Sequence, residues 1–383
     1  MRNKDLSPTK LSSLEELIKA GVLAVSEKGI DKVTVLDVIS ISGHSRPTFY
    51  SYFADINSLL AEIWIKYGID ALSSYSVDLD NWDSCPPDVI PGLGRTLLQI
   101  FCAAHRIPEL IEVLSPDVTT WWQRTTGASQ ADEIKAAWIL GMHLGIGASL
   151  HINENVKKSR MLIPVIRQMP GLDGVSEKPK MLDAIDLDSN LPEVLIEADL
   201  PENAILRATM SVVANSGVYS TTIARVARNC RVSTGTIYPR YKNQKVLVEK
   251  AFQAAIKDVV IVNVDRLQSA ASPFEEFARS IYSSLSGRRR TWRDFRLEVL
   301  LASMYDEELA LSARSGFDFT RRFLSEKIER TLEVDAQTAE IFSYGMEVLA
   351  VGFSMLHNAG VPLQGLRHRI MIDHIGASFA KTT

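Results

Sequence analysis

Apolar residues recur at helical spacing along most of the chain, and the breaks between the stripes follow one order twice. Leu14, Leu17, Ile18, Gly21, Val22 and Val25 share a face, and the overlapping boxes Ser12-x-x-Glu15 and Ser13-x-x-Glu16 predict a helix start at Ser12 or Ser13. Gly29 then stands where a left-handed residue would end that helix. A short helix opening at Thr34, a break at "SGHS", a second short helix and a longer one capped by Asp55 complete the run. Further on, Asp199-x-x-Glu202 with Pro201 in the first turn starts another stripe of Ile205, Ala208, Thr209, Val212 and Val213. Gly217, Thr222, the break "NCRV" and a cap at Asn243 repeat the order of signals. Helix, short helix, tight turn, short helix is the outline of a helix-turn-helix module.

The two runs align without gaps at an offset of 188 residues, with nine identities over residues 14–60 against 202–248. These include Gly29/Gly217, Thr34/Thr222, Ser45/Ser233, Thr48/Thr236 and Tyr50/Tyr238, so the special positions stay in register and the chain contains an internal repeat. After each copy comes a further helical stretch. Residues 138–152 are too short to span a membrane and read as a buried helix. Residues 131–153 and 338–360 are both apolar and studded with Gly and Ala, with Gly141-Met142 aligned on Gly345-Met346; small residues let helices approach closely. Residues 169–201, rich in Pro, Gly and Asp, read as a linker. The fold expected is all-α.

Composition narrows the function. At 383 residues and 46% hydrophobic the chain needs at least two cores. Cys85, Cys102 and Cys230 form no pair at metal or disulfide spacing, and the N-terminus lacks a secretory pattern, so the expected compartment is the cytoplasm. The seven histidines are scattered, and the chain has no glycine-rich phosphate loop and no nucleophile elbow, so neither an enzyme nor a bound cofactor is expected. Net charge is −4, but it is uneven: residues 1–64 carry −1 and residues 200–260 carry +6.

At this point the residues resemble the TetR family of bacterial transcriptional regulators. The copy "TVLDVISISGHSRPTFYSYFADINSLL" fits the family signature at Thr34, Gly43, Ser45, Tyr50, Phe53 and Leu59, with Pro47 for Gly and Asn57 for Lys. The copy "TTIARVARNCRVSTGTIYPRYKNQKVLV" fits at Thr222, Ile223, Ala224, Val232, Ser233, Gly235, Tyr238, Lys245 and Leu247. The resemblance implies two tandem units, each a DNA-binding head followed by a helical body for ligand and dimer contacts, the bodies pairing within the chain as a pseudo-dimer. The limits expected are 1–67 and 201–255 for the heads, 68–170 and 256–383 for the bodies, and 171–200 for the linker.

The partners implied are double-stranded DNA and a small-molecule inducer, apolar or amphipathic, with no membrane; a further homodimer of chains stays open. DNA contacts are expected from Thr34, His44, Ser45, Arg46, Thr48, Tyr50 and Ser51 in one head. In the other they are expected from Thr222, Ser233, Thr234, Gly235, Thr236, Tyr238, Arg240 and Lys245. Because paired heads read sites about 34–36 Å apart, unlike heads imply an asymmetric operator, bound by a ligand-responsive regulator expected to act as a repressor. Arg2, Lys4 and Lys10 could reach a groove as an arm. Aromatic, Met and polar residues that could line a pocket are Trp121, Trp122, Trp138, Met142 and His143 in the first body. In the second they are Trp292, Arg296, Tyr305, Phe317, Tyr344, Met346 and His357. The basic run "GRRRTWRDFR" at 287–296 lies away from the heads and leaves room for an anionic ligand. The alternative is a protein of the same fold that binds ligands or partners through heads no longer specific for DNA.

Overall fold

The computed structural model describes residues 8–77, 91–126, 129–170, 201–269, 284–366 and 368–380. All regular structure among them is helical. The chain forms two compact units, residues 1–122 with 358–360 and residues 123–357 with 361–383.

The first unit begins with α1 (Pro8–Lys28), α2 (Val35–Ser42), α3 (Arg46–Tyr50) and α4 (Ile56–Val77), followed by α5 (Leu93–Ala103) and the start of α6 (Pro108–Thr126). The helix expected from Ser12 or Ser13 starts earlier. Pro8 is suited to a first turn, and the Ser12 hydroxyl donates to Glu16 within the helix at 3.2 Å instead of capping it. Lys10 is therefore part of α1, with its carbonyl accepting the Tyr52 hydroxyl at 3.0 Å, while Arg2 and Lys4 lie outside the described residues. The expected stripe is buried: Leu17, Ile18, Val22 and Val25 meet Val38, Phe49, Leu59 and Ile63 in one core. Gly29, at φ 88°, turns the chain between α1 and α2 as its position required.

α5 fixes this head through buried polar contacts. Thr96 donates to the Val22 carbonyl at 2.9 Å, and the Gln99 carboxamide accepts the Ile30 N–H at 3.0 Å. Arg106, just past α5, pairs with Asp31 at 2.5 Å; the two side chains are 9% and 8% exposed, so the pair is largely shielded from water.

The second unit holds α7 (Gln130–Ser149) and α8 (Ile163–Arg167), and then the second head: α9 (Pro201–Ser216), α10 (Ile223–Asn229), α11 (Thr234–Ile237) and α12 (Gln244–Ser269). The second body adds α13 (Arg290–Ser303), α14 (Glu307–Leu332), α15 (Ala336–Asn358) and α16 (His368–Ala380). Asp199 and the 171–200 linker lie outside the described residues. α9 packs on α10, α12 and α13, and α12 packs on α14.

α7 is the buried helix the sequence suggested, and it lies against α15. A Cβ on Gly352 would stand 1.7 Å from the Gly141 carbonyl oxygen, and one on Gly145 would stand 1.9 Å from that of Val348. Backbone therefore meets backbone, with residue numbers rising along one helix as they fall along the other. The alignment of Gly141 on Gly345 did not foresee these pairings; Gly345 instead faces Leu162. Around the crossing, Trp138 donates through its indole N–H to His368 Nδ1 at 3.0 Å, and Lys158 pairs with Glu340 at 3.0 Å. α7 and α15 thus pack closely within the second unit. α15 is also long and apolar enough to cross a membrane, but 72% of its most apolar window is buried in the molecule, as in a core helix.

Candidate nucleic-acid interface

Each head is built by caps. In the first, the Thr34 hydroxyl accepts the Asp37 N–H at 3.4 Å and Asp37 accepts the Thr34 N–H at 2.9 Å, a closed capping box at the start of α2. Lys28 bonds to Asp37 and, together with Thr34, holds its carboxyl below the ordinary value despite partial burial. Gly43, at φ 72°, makes the turn, and Ser45 caps α3 by accepting the Thr48 N–H at 3.3 Å.

The second head reaches the same geometry with different residues. Thr222 accepts the Arg225 N–H at 3.2 Å. Arg231 occupies the position of Gly43 at φ 57°, a left-handed conformation that costs an L-residue about 1–2 kcal/mol. Ser233 and Thr236 share a hydroxyl–hydroxyl hydrogen bond at 3.1 Å, as Ser45 and Thr48 do at 2.9 Å.

These bonds alter the expected contact set. Ser45, Thr48, Ser233 and Thr236 commit part of their hydroxyl capacity to one another, and Ser51 donates to the Thr48 carbonyl at 2.7 Å. His44 lies 2.8 Å from Glu16 and is held against α1. Arg240 donates to the Thr236 carbonyl at 2.8 Å, so its guanidinium lies along α11. Thr34, Arg46, Thr222, Thr234 and Gly235 are exposed. Tyr50 and Tyr238 are 56% and 57% exposed, whereas Phe49 and Ile237 beside them are fully buried, which fixes the outward side of each recognition helix.

Lys245, expected among the DNA contacts, bonds Asp306 at 2.7 Å and also Glu308 through its ammonium, both at the start of α14. Asn57, the equivalent residue, donates to Glu109 at the start of α6 at 3.4 Å. In both halves this position ties the head to the acidic first turn of a body helix, where carboxylates are favoured. The sequence showed the lysine but not its partners, which lie 61 and 63 residues away.

The expected pocket residues are mostly packed. Trp121 donates to Ser73 at 3.1 Å with Trp122 beside it, and Trp138 belongs to the α7–α15 crossing, beside buried Met142 and half-buried His143. Burial first, then the charges of Arg160 and Arg167, push the His143 imidazole down to about 2. In the second body Phe317 lies edge-on to Phe252, and Tyr344 lies under the Arg321 guanidinium, 4.4 Å from the ring centroid. Tyr305, Met346 and His357 are half-buried, and His357 is pushed down to about 4, mainly by burial. Arg296 is buried, donating to Ser354 at 2.7 Å, near a carboxylate the sequence did not single out, Glu347. Burial raises Glu347 to about 7 against the opposing charge of Arg321. Among the described residues no group of three His, Cys, Asp or Glu is placed to hold a metal.

The chain thus presents two helix-turn-helix heads, each with an outward-facing recognition helix. Residues 17–63 and 205–251 each match the model of the family described as bacterial regulatory proteins, tetR family. The uncharacterized HTH-type transcriptional regulator YvdT of Bacillus subtilis (strain 168) is 37% identical over 49 residues, 13% of this chain and 25% of that protein, so the match spans a quarter of that relative. A structure of the fatty acid degradation regulator FadR from Bacillus halodurans is 17% identical, covering 45% of this chain and 99% of its own at a TM-score of 0.34. A putative transcriptional regulator from Pseudomonas aeruginosa PAO1, also 17% identical, covers 52% and 99% at 0.40. The chain thus carries twice a helix-turn-helix unit that matches the tetR family model.

Proposed function

We propose that this chain is an effector-responsive repressor whose two heads read the unlike halves of one asymmetric operator. The observation that carries the reading is the pair of complete heads with different exposed faces: Arg46 and Tyr50 beside Pro47 in one, Thr234, Gly235 and Tyr238 in the other. Tyr50 and Tyr238, with the N-termini of α2 and α10 at Thr34 and Thr222, are assigned to phosphates, which fix register without reading sequence. Arg46, Thr48, Thr234 and Thr236 are assigned to base edges. The head limits are 1–67 and 201–255, the regulatory bodies 68–170 and 256–383, and the linker 171–200. A small amphipathic effector would shift the chain between binding and non-binding populations.

Fluorescence anisotropy on duplex from upstream of the chain's own gene tests this. Specific binding should exceed that to a random duplex of the same length by about 1,000-fold or more. Equal affinity for both duplexes would support heads that no longer read DNA.

A further inference from the structure

The second unit contains a cleft of about 370 Å³ between α9, the end of α10 and the start of α13. Its walls include Arg207, Met210, Ser211, Cys230, Arg288 and Trp292. Two guanidiniums and hydroxyl donors stand beside a thioether and an indole, and no carboxylate lines the cleft. The indole is held from behind, stacked on Phe252 at 6.0 Å, so the apolar wall is anchored in the core of the second unit.

The basic run at 287–296 accounts for part of this. Arg289, Arg293 and Arg296 turn inward and are buried, while Arg288 is exposed at the cleft. That run belongs to neither head, so DNA binding by the recognition helices leaves it unexplained. The first head does not repeat the chemistry. At the same offset, Glu16 replaces Ala204, Leu23 replaces Ser211 and Ile41 replaces Asn229, and the Glu16 carboxylate lies against His44.

We infer that this cleft binds a small organic anion with an apolar or aromatic body, its acid group held by Arg207 and Arg288 and its body against Met210 and Trp292. Guanidinium groups suit planar or tetrahedral oxyanions, and an apolar wall with a few polar anchors is the usual make-up of such sites. Position gives the site its consequence. Cys230 is followed directly by Arg231, the left-handed residue of the helix-turn-helix turn, so a bound anion joins that turn and α9 to the body. The inference deepens the effector reading above, and its test is a binding measurement that stands whether or not the heads read an operator.

The probe is anilinonaphthalene sulfonate, with uncharged phenylnaphthylamine, the same rings without the acid, as comparator. Fluorescence titrations of the full chain are compared with Arg207→Glu, which reverses a cleft charge, and Ala204→Trp, which fills the cleft. Lys19→Glu, at the position equivalent to Arg207, serves as control, and thermal melting confirms that each variant is folded. The sulfonate should bind the parent chain and the control alike, and each cleft variant about tenfold or more weakly. The neutral probe should bind the parent less tightly than the sulfonate. Parent affinity retained in both cleft variants, or equal affinity for the two probes, would overturn the site.

Discussion

A tyrosine more than half exposed beside a fully buried neighbour was legible in the sequence, as an expected contact position of the repeat. Tyr50 and Tyr238 show that the repeat conserves an outward phenol, while Arg231 shows that it does not conserve the residue that turns the chain. Buried charge was the least legible feature, because no spacing places Glu347 among Arg296, Arg321 and Asp318. Its side chain is 9% exposed and its carboxyl is raised to about 7 from an ordinary 4.5, mainly by burial. The folded chain therefore keeps a proton that the unfolded chain releases, and stability falls as pH rises between those two values. Glu347→Gln should remove that penalty, stabilising the second unit by about 3 kcal/mol at about pH 8 and by much less at about pH 5. Urea unfolding at both values reads the difference; equal gains at both would show that the carboxyl titrates normally.

Helices were the most legible scale, because caps and left-handed glycines act locally. Thr34, Thr222, Gly29 and Gly217 all do what their positions suggested. What the local signals could not give was the partner of each helix. Gly141, Gly145 and Gly352 read as small residues suited to close packing, and only the folded chain shows which backbones they admit. Gly352→Ala should gain about 1 kcal/mol in helix propensity and lose more to the clash with the Gly141 carbonyl, for a net destabilisation of roughly 1–3 kcal/mol. A neutral or stabilising result in denaturant unfolding would mean that α7 and α15 do not approach so closely. At the same scale, Asp306 caps α14 by accepting the Leu309 N–H at 3.0 Å and also holds Lys245. Asp306→Ala should cost about 1–2 kcal/mol through the lost cap, with the ion pair adding little because both partners are partly exposed.

Across the whole molecule the duplication was legible and its asymmetry partly so. Counting charges separated a head region of net −1 from one of net +6, so the proposed DNA binding would draw most of its counterion release from the second head. Which residues meet where α7 crosses α15, and the cleft beside α10, depend on contacts between segments far apart in sequence and were out of reach. The central claim is that two unlike heads on one chain each read their own half of the operator. The most direct test is a binding matrix, in which the parent chain, Arg46→Ala and Thr234→Ala are titrated against the intact operator and against operators with either half-site scrambled. The account predicts that each variant weakens binding to the intact operator and becomes insensitive to scrambling of one half only, a different half for each variant. Variants that respond identically to the two scrambled operators would contradict it.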